Sequence, residues 1–183
     1  MPLYDFPQTL ISSVGVGPTI TATTISSVLP TPSVWAVPGN FMVQGKKLRG
    51  SANGVMNTTV TTPGTLIWTI NVGAVAVFIS QALALNIIAK AQVQWQLEFW
   101  LECMSAGSGT IATLKGHGFF KSEAVVGSPL PAAGGSGSLL MPLGAPVAGT
   151  GFNSITPGSL DLLATNSVNN SMICHGYHLE ALN

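Results

Sequence analysis

The chain has 183 residues, a length that suits a single domain of ordinary size. Only 7% of its residues are Asp, Glu, Lys or Arg, against about 25% in an average soluble domain, and the formal net charge is zero. Because charge keeps protein surfaces apart in solution, this composition is atypical of a free monomer. Two classes of protein fit it: a membrane protein, or a subunit whose surface is largely covered by protein neighbours.

The lengths of the apolar segments argue against the membrane class. A helix that spans a bilayer needs about 20 mainly apolar residues. The most apolar stretch, 67–91, is interrupted by Thr, Asn, Ser, Gln and Lys residues and is rich in β-branched residues. The start of the chain, MPLYDFPQTL, has neither the basic residues nor the apolar core of a signal peptide. We therefore expect protein partners and no membrane contact.

The few basic residues do not indicate nucleic-acid binding, which requires clustered Lys and Arg. The single cluster, Lys46, Lys47 and Arg49, is better interpreted as a solvated face. The two cysteines, Cys103 and Cys174, are too few for a disulfide scaffold and form no CxxC pair. We expect both to be buried free thiols.

The clearest element is a strand at 93–103, VQWQLEFWLEC, in which apolar and polar residues alternate. This period of two is typical of an antiparallel sheet with one buried face. Trp100 is the exception on the polar face, where it either covers a loop or contacts a partner. The turn SAGSG and a second strand at about 110–121 complete a predicted hairpin.

Further strands are predicted between frequent Gly and Pro residues, whereas no segment carries the caps and period of a helix. In the last strand, alternation places Ile173, His175, Tyr177 and Leu179 on one face. With about eight strands in all, we predict an all-β protein, an antiparallel β-sandwich of the jelly-roll type. These further strands lie at 47–57, 64–71, 73–80, 158–166 and 171–181.

Two segments fall outside the predicted sheets. Residues 1–33 are predicted as an extended N-terminal arm, and residues 34–183 as the sandwich domain. The arm contains five Pro and a Thr/Ser-rich run; it either lies on a neighbouring surface, forms an edge strand or is a solvated tail. The Pro/Gly/Ser-rich segment 127–151 is a long connection, either a surface excursion or an arm that contacts a neighbour.

The chain offers little material for catalysis or for metal binding. His175 and His178 are three residues apart on a predicted strand and should point to opposite faces, which disfavours shared metal ligation. Glu98 and Glu102 are four residues apart on one strand face, about 13 Å, which is too far for a glycosidase pair. Two Cys/His combinations stay open as nucleophile pairs, without a flanking signature: Cys103–His175 and Cys174–His117. We predict no enzyme activity, no catalytic residues, no cofactor and no metal.

The order of the segments resembles that of single-jelly-roll virion proteins of tailed bacteriophages. The resemblance covers about residues 35–182 and rests on VPGNFMVQGKKLRGSANGVM (37–56), GTLIWTINVGAV (64–75), WQLEFWLECMSAGSGTIATLKGHGFF (95–120) and SLDLLATNSVNNSMICHGYHLEAL (159–182). The N-terminal arm and the 127–151 connection depart from it.

The resemblance implies a capsid cement or decoration protein, a homotrimer on the outer face of the phage head that braces neighbouring major capsid proteins. Such a subunit would be in the host cytoplasm during assembly and on the virion afterwards. Its expected interface residues are Tyr4, Phe6, Trp35 and Trp100. The alternative is a tail- or fibre-associated jelly-roll module that recognises a glycan or the host surface, for which Trp35, Trp100 and Tyr177 are candidates.

Overall fold

A computed structural model of the chain describes residues 7–13, 15–59, 64–125 and 137–182. Within these ranges there is no α-helix, and Thr31–Ser33 form a 3₁₀ turn. The absence of a helical apolar period and the abundance of β-branched residues account for this preference for strands. The described strands are β1 (Gln8–Ser12), β2 (Ser26–Ser27), β3 (Trp35–Val37), β4 (Lys47–Thr58), β5 (Thr65–Val72), β6 (Val75–Ile79), β7 (Leu83–Ala84), β8 (Lys90–Ser105), β9 (Thr113–Ser122), β10 (Gly137–Met141), β11 (Gly158–Asn166) and β12 (Ser171–Ala181).

The strands form two antiparallel sheets. The long sheet has the order β1-β12-β4-β8-β9-β10. The short sheet has the order β2-β11-β5-β6, with β3 beside β11 and β7 beside β5. The predicted all-β, antiparallel sandwich is therefore confirmed, whereas its jelly-roll winding stays a prediction.

The core lies between the two sheets, where the apolar side of each alternating strand is buried. Trp68 of β5 is fully buried against Trp95 of β8 and Phe120 of β9. The ring centroid of Trp68 lies 5.3 Å from that of Trp95 and 5.5 Å from that of Phe120. These contacts fix the short sheet against the long sheet, and most polar side chains of the alternating strands lie on the outer faces. Exceptions such as Thr69 and Asn166 are buried.

The predicted hairpin is confirmed by β8 and β9, which pair along nearly their whole length. Trp95, Leu97 and Phe99 are buried, whereas Gln96 lies exposed and Glu98 half-buried on the outer face. The other predicted strands also form, as β4, β5, β6, β11 and β12. The period of two thus identified the long strands and, in β8, the buried face.

The predicted face of the last strand is wrong at Ile173 and His175. Tyr177 and Leu179 are buried, but Ile173 is only half-buried and His175 is exposed, whereas Cys174 between them is buried. The register of β12 against β4 shifts between Cys174 and Gly176, where a β-bulge adds one residue to β12. An added residue moves all preceding side chains to the other face, so the alternation on the two sides of the bulge differs in phase.

Five short strands, β1, β2, β3, β7 and β10, add to those predicted. With two to five residues each, they are too short to show a period. β10 lies inside the predicted 127–151 connection, where Met141 is buried and Leu139 packs against the core. Residues 127–136 of that connection lie outside the described residues.

The described part of the predicted N-terminal arm packs on the sandwich itself. β1 pairs with β12 at the edge of the long sheet, and β2 pairs with β11 in the short sheet. Ile20, Val28 and Leu29 are buried in the core. These apolar residues within a polar, Pro-rich run are sufficient to anchor it. Tyr4 and Phe6, two of the predicted interface residues, lie outside the described residues.

Candidate functional site

One end of the sandwich is built from three loops in which Lys46 is the single charged residue. Loop 38–46 lies between β3 and β4, loop 106–112 joins β8 to β9, and loop 150–157 precedes β11. On these loops and at the end of β8, four large apolar side chains are 40–61% exposed: Val43, Met104, Ile111 and Ile155. We call this surface the apolar end. Grouped apolar exposure of this kind is typical of a contact surface, whereas isolated exposed apolar residues are ordinary.

Hydrogen bonds hold the three loops of the apolar end side by side. The Ser154 amide donates to the carbonyl of Gly107 over 3.0 Å, and the Gly107 amide donates to the Ser154 hydroxyl over 2.9 Å. The Asn40 amide donates to the carbonyl of Ser154 over 2.8 Å. Ala112 and Phe152 exchange backbone hydrogen bonds in an isolated bridge. The surface is therefore ordered before any contact, which lowers the entropic cost of binding.

Trp35, a predicted interface residue, lies beside the apolar end. Its ring is half-buried and meets Phe41 edge-on, with centroids 4.9 Å apart and planes at 77°. The Lys46 ammonium lies 4.6 Å from the Phe41 ring centroid. Both rings also pack against the core. Trp35 thus packs between the core and Phe41 of loop 38–46, while part of its ring remains accessible to a partner.

Trp100, the other interface candidate among the described residues, does not lie at the apolar end. It is half-buried on the outer face of the long sheet, where its ring stacks on His117 at 5.3 Å and 11°. Arg49 lies 5.8 Å from the ring centroid and Phe119 lies 6.1 Å away. Its neighbours within the chain already cover much of the ring. The structure therefore does not bring Trp35 and Trp100 together on one surface.

Charged residues concentrate on this same outer face of the long sheet. Arg49 pairs with Glu98 at 3.3 Å and with Glu180 at 3.6 Å, and Glu102 pairs with Lys115 at 3.1 Å. The hydrogen bond and the charge of Lys115 hold the pKa of the Glu102 carboxyl below its usual value. Exposed pairs like these add little stability. These ion pairs keep the outer face of the long sheet hydrated, in contrast to the apolar end.

A depression of about 410 Å³ lies on the outer face of the long sheet. Its walls come from four adjacent strands, β1, β12, β4 and β8. The pairing of these strands brings residues with small side chains next to one another at the floor of the depression. The lining residues are Ser12, Ser13, Ser51, Ala52, Asn53, Gln96, Leu97, Glu98, Gly176, Tyr177 and His178. The depression is thus lined mainly by uncharged polar side chains.

The two cysteines are buried and free, as predicted. Burial raises the pKa of Cys174 to about 11 and raises the pKa of Cys103 above its usual value. Each thiol donates to a nearby carbonyl, Cys103 to Ser105 and Cys174 to Gly176, over 3.3 Å. A thiol held protonated is a poor nucleophile.

The histidines are not placed beside these thiols. His117 and His175 are exposed, whereas both thiols point into the core. The predicted nucleophile pairs Cys103–His175 and Cys174–His117 therefore do not form. The bulge in β12 also leaves both His175 and His178 accessible at the surface instead of on opposite faces. Across the described ranges, no group of three or more His, Cys, Asp and Glu residues could hold a metal ion.

Tyr177, a candidate from the sequence for glycan contact, is buried. Its hydroxyl has no hydrogen-bond partner among the described residues, and burial strongly raises its pKa, with Asp161 and Cys174 adding to the shift. Only a small part of Tyr177 reaches the depression. The surface residues that the sequence did not identify are the uncharged lining, such as Asn53 and Gln96, and the exposed apolar residues of the loops. The low charge of loops 38–46, 106–112 and 150–157, in which Lys46 alone is charged, is the signal that could have indicated the latter.

Asp161 on β11 links the short sheet to the N-terminal segment and should make the stability depend on pH. The Ser27 hydroxyl donates to its carboxylate over 2.7 Å, yet burial raises the pKa of Asp161 above its usual value. Because the folded state then holds the proton more tightly than the unfolded chain does, the free energy of unfolding falls as the pH rises from the unfolded pKa, about 3.9, through the folded pKa.

We expect Asp161→Asn to remove this decline. Urea unfolding measured from about pH 3 to about pH 7 should show the variant gaining stability relative to the wild type as the pH rises through the carboxyl range. Ser27→Ala removes the donor that opposes the shift, so its decline should be larger than that of the wild type. Parallel curves for all three proteins would contradict this assignment.

Comparison of the chain with protein-family models, curated proteins and solved structures found no match. In the described ranges, no helix is long and apolar enough to cross a membrane.

Proposed function

We propose that this protein is a structural subunit that packs against copies of itself and, as a homotrimer, braces major capsid proteins on the outer face of a tailed-phage head. The observation that supports the proposal most directly is the apolar end, where three ordered loops with one charged residue, together with the end of β8, present Val43, Met104, Ile111 and Ile155. We assign this surface to contact with a second copy of the chain. The low charge of the whole chain supports the same class of function.

The size of the apolar end favours assembly in several copies. Full burial of a Val, Leu, Ile or Met side chain contributes about 1.5–3 kcal/mol, and these four are already partly buried. Association costs an estimated 4–15 kcal/mol in lost translational and rotational freedom. One such contact is therefore marginal in isolation. A closed ring of subunits, or a lattice that holds many copies, adds further contacts without repeating the whole cost.

The distribution of charge favours one orientation. The outer face of the long sheet carries paired charges and remains well hydrated, whereas the loops of the apolar end carry a single charge, Lys46. A subunit that buries its apolar end between copies keeps the charged face toward solvent. This arrangement agrees with a subunit on the outside of a particle, assembled in the host cytoplasm.

Ile111→Asp tests the proposal at the most exposed of the four side chains of the apolar end. An unpaired carboxylate buried in an apolar contact costs more than the ~1.4 kcal/mol that corresponds to a tenfold loss of affinity. In size-exclusion chromatography with light scattering, we expect the wild type to form trimers and the variant to shift to monomers at the same concentration. Ile87→Asp is the matched control, because Ile87 is also exposed but lies in the loop before β8, at the opposite end.

Binding to heads purified from the phage that encodes the chain tests the second half of the proposal. The wild type and Ile87→Asp should co-sediment with heads at a saturating, symmetric copy number, and Ile111→Asp should bind more weakly. A wild-type monomer that does not bind heads would refute the proposed function, and equal losses in both variants would refute the role of the apolar end.

A further inference from the structure

We infer that the depression on the outer face of the long sheet is a binding site for a neutral saccharide. Its position is separate from the apolar end, so the inference does not depend on the assembly of the subunit. Two cross-strand rows form it. In one row Ser12, His178, Ser51 and Glu98 lie side by side, and in the next row Gly176, Asn53 and Gln96 do so.

The shape of the depression follows from small residues between longer ones. Ser12, Ser51 and Gly176 have short side chains or none, whereas the neighbouring row carries longer ones, such as Arg49 and Trp100. A β-carbon at Gly176 would collide with the side-chain oxygen of Asn53, so glycine leaves the space that the Asn53 amide occupies. The volume of about 410 Å³ falls within the range of about 300–1,000 Å³ that small-molecule sites span.

The unused hydrogen-bonding groups of the lining match the hydroxyl groups of a sugar. In the described part of the chain, no hydrogen bond uses the side-chain amides of Asn53 and Gln96 or the hydroxyls of Ser12 and Ser51. An amide offers both donors and an acceptor, and a hydroxyl offers one donor and two acceptor positions. Sugar hydroxyls, which both donate and accept, complement such a mixed set better than a pure anion or cation does.

The electrostatics of the site favour a neutral ligand. Glu98 is paired with Arg49, and Arg49 also reaches Glu180. The His178 ring lies 3.7 Å from the same Glu180 carboxylate. The guanidinium is therefore engaged by two carboxylates and is not available to bind a phosphate or a sugar acid. Phe119, which lies beside Glu98 in the next strand, adds a half-buried aromatic ring at the border for the apolar face of a sugar.

The test is a titration with free sugars followed by ¹H–¹⁵N NMR, with glucose, galactose, mannose, N-acetylglucosamine and their disaccharides as probes and sialic acid and inorganic phosphate as anionic probes. We expect at least one neutral sugar to cause saturable shifts of the Asn53 and Gln96 side-chain amides. Gln96→Ala and Asn53→Ala should each weaken that sugar by about three- to tenfold, as expected for the loss of one hydrogen bond.

Gln94→Ala is the matched control, because Gln94 is the same residue type on the same strand and the same outer face but does not line the depression. It should leave the affinity unchanged. Binding of phosphate or sialic acid without any neutral sugar, equal losses in Gln94→Ala and Gln96→Ala, or no saturable shift with any probe would each overturn the inference. Because Ile111→Asp does not touch this face, sugar binding should persist in it, and the two proposals can fail independently.

Discussion

Replacing Trp68 by alanine is expected to lower the free energy of unfolding by about 3–5 kcal/mol. Trp68 is fully buried and is the residue of the short sheet whose ring contacts both Trp95 and Phe120 of the long sheet. Its removal deletes contacts on both sides of the interface between the sheets and leaves a cavity that the surrounding strands cannot close. A domain of this size is typically stable by only about 5–15 kcal/mol, so the loss is a large fraction of the total.

Trp100→Ala is the matched control for this prediction. Trp100 is the same residue type in β8, but it is half-buried on the outer face and stacks on His117. Its loss should remove the aromatic contact, about 0.5–1.5 kcal/mol, with little cavity cost. Urea unfolding followed by far-ultraviolet circular dichroism gives both values without relying on tryptophan fluorescence. Equal destabilisation by the two substitutions would contradict the placement of Trp68 between the sheets.

The fold was predictable from the sequence wherever a strand was long and had one buried face. In β8, Trp95, Leu97 and Phe99 alternate with Gln96 and Glu98, and the structure buries the predicted set. Alternation could not reveal β2 or β7, which have two residues each and exist only because β11 and β5 offer them an edge. It also could not locate the bulge in β12, because a bulge depends on the pairing with β4.

The candidate surfaces were less predictable, because they depend on which strands become neighbours. Gln96 was predicted to be exposed, but the sequence does not show that Ser12 and Gly176 lie across the sheet from it. The same holds for Val43, Ile111 and Ile155, which come from three distant loops. The overall shortage of charge predicts that part of the surface is covered by protein partners. Which part is covered could not be predicted, because that depends on where the fold places the loops.

Gly54→Ala is expected to destabilise the protein by about 3 kcal/mol, at the upper end of what one added methyl group costs in a packed core. Gly54 lies in β4 between β12 and β8, opposite Cys174 and Trp95. A β-carbon there would collide with the carbonyl group of Ile173, and it would approach the Trp95 ring to 2.8 Å. A backbone carbonyl in the middle of a sheet cannot move without disturbing the pairing of β12, so relief would have to come from separation of the strands.

Gly158→Ala separates this steric effect from the general effect of replacing glycine. Gly158 also lies in a strand, β11, but a β-carbon there would meet only Gly73 and Val72, at an ordinary 3.7 Å. Removing glycine restricts the unfolded chain, so this variant should be unchanged or more stable by about 0.4–1 kcal/mol. The urea midpoint of Gly54→Ala should therefore fall, whereas that of Gly158→Ala should stay unchanged or rise. The free energies of unfolding of the two variants should differ by several kcal/mol. Similar midpoints would contradict the close approach of the Ile173 carbonyl in β12 to Gly54 in β4.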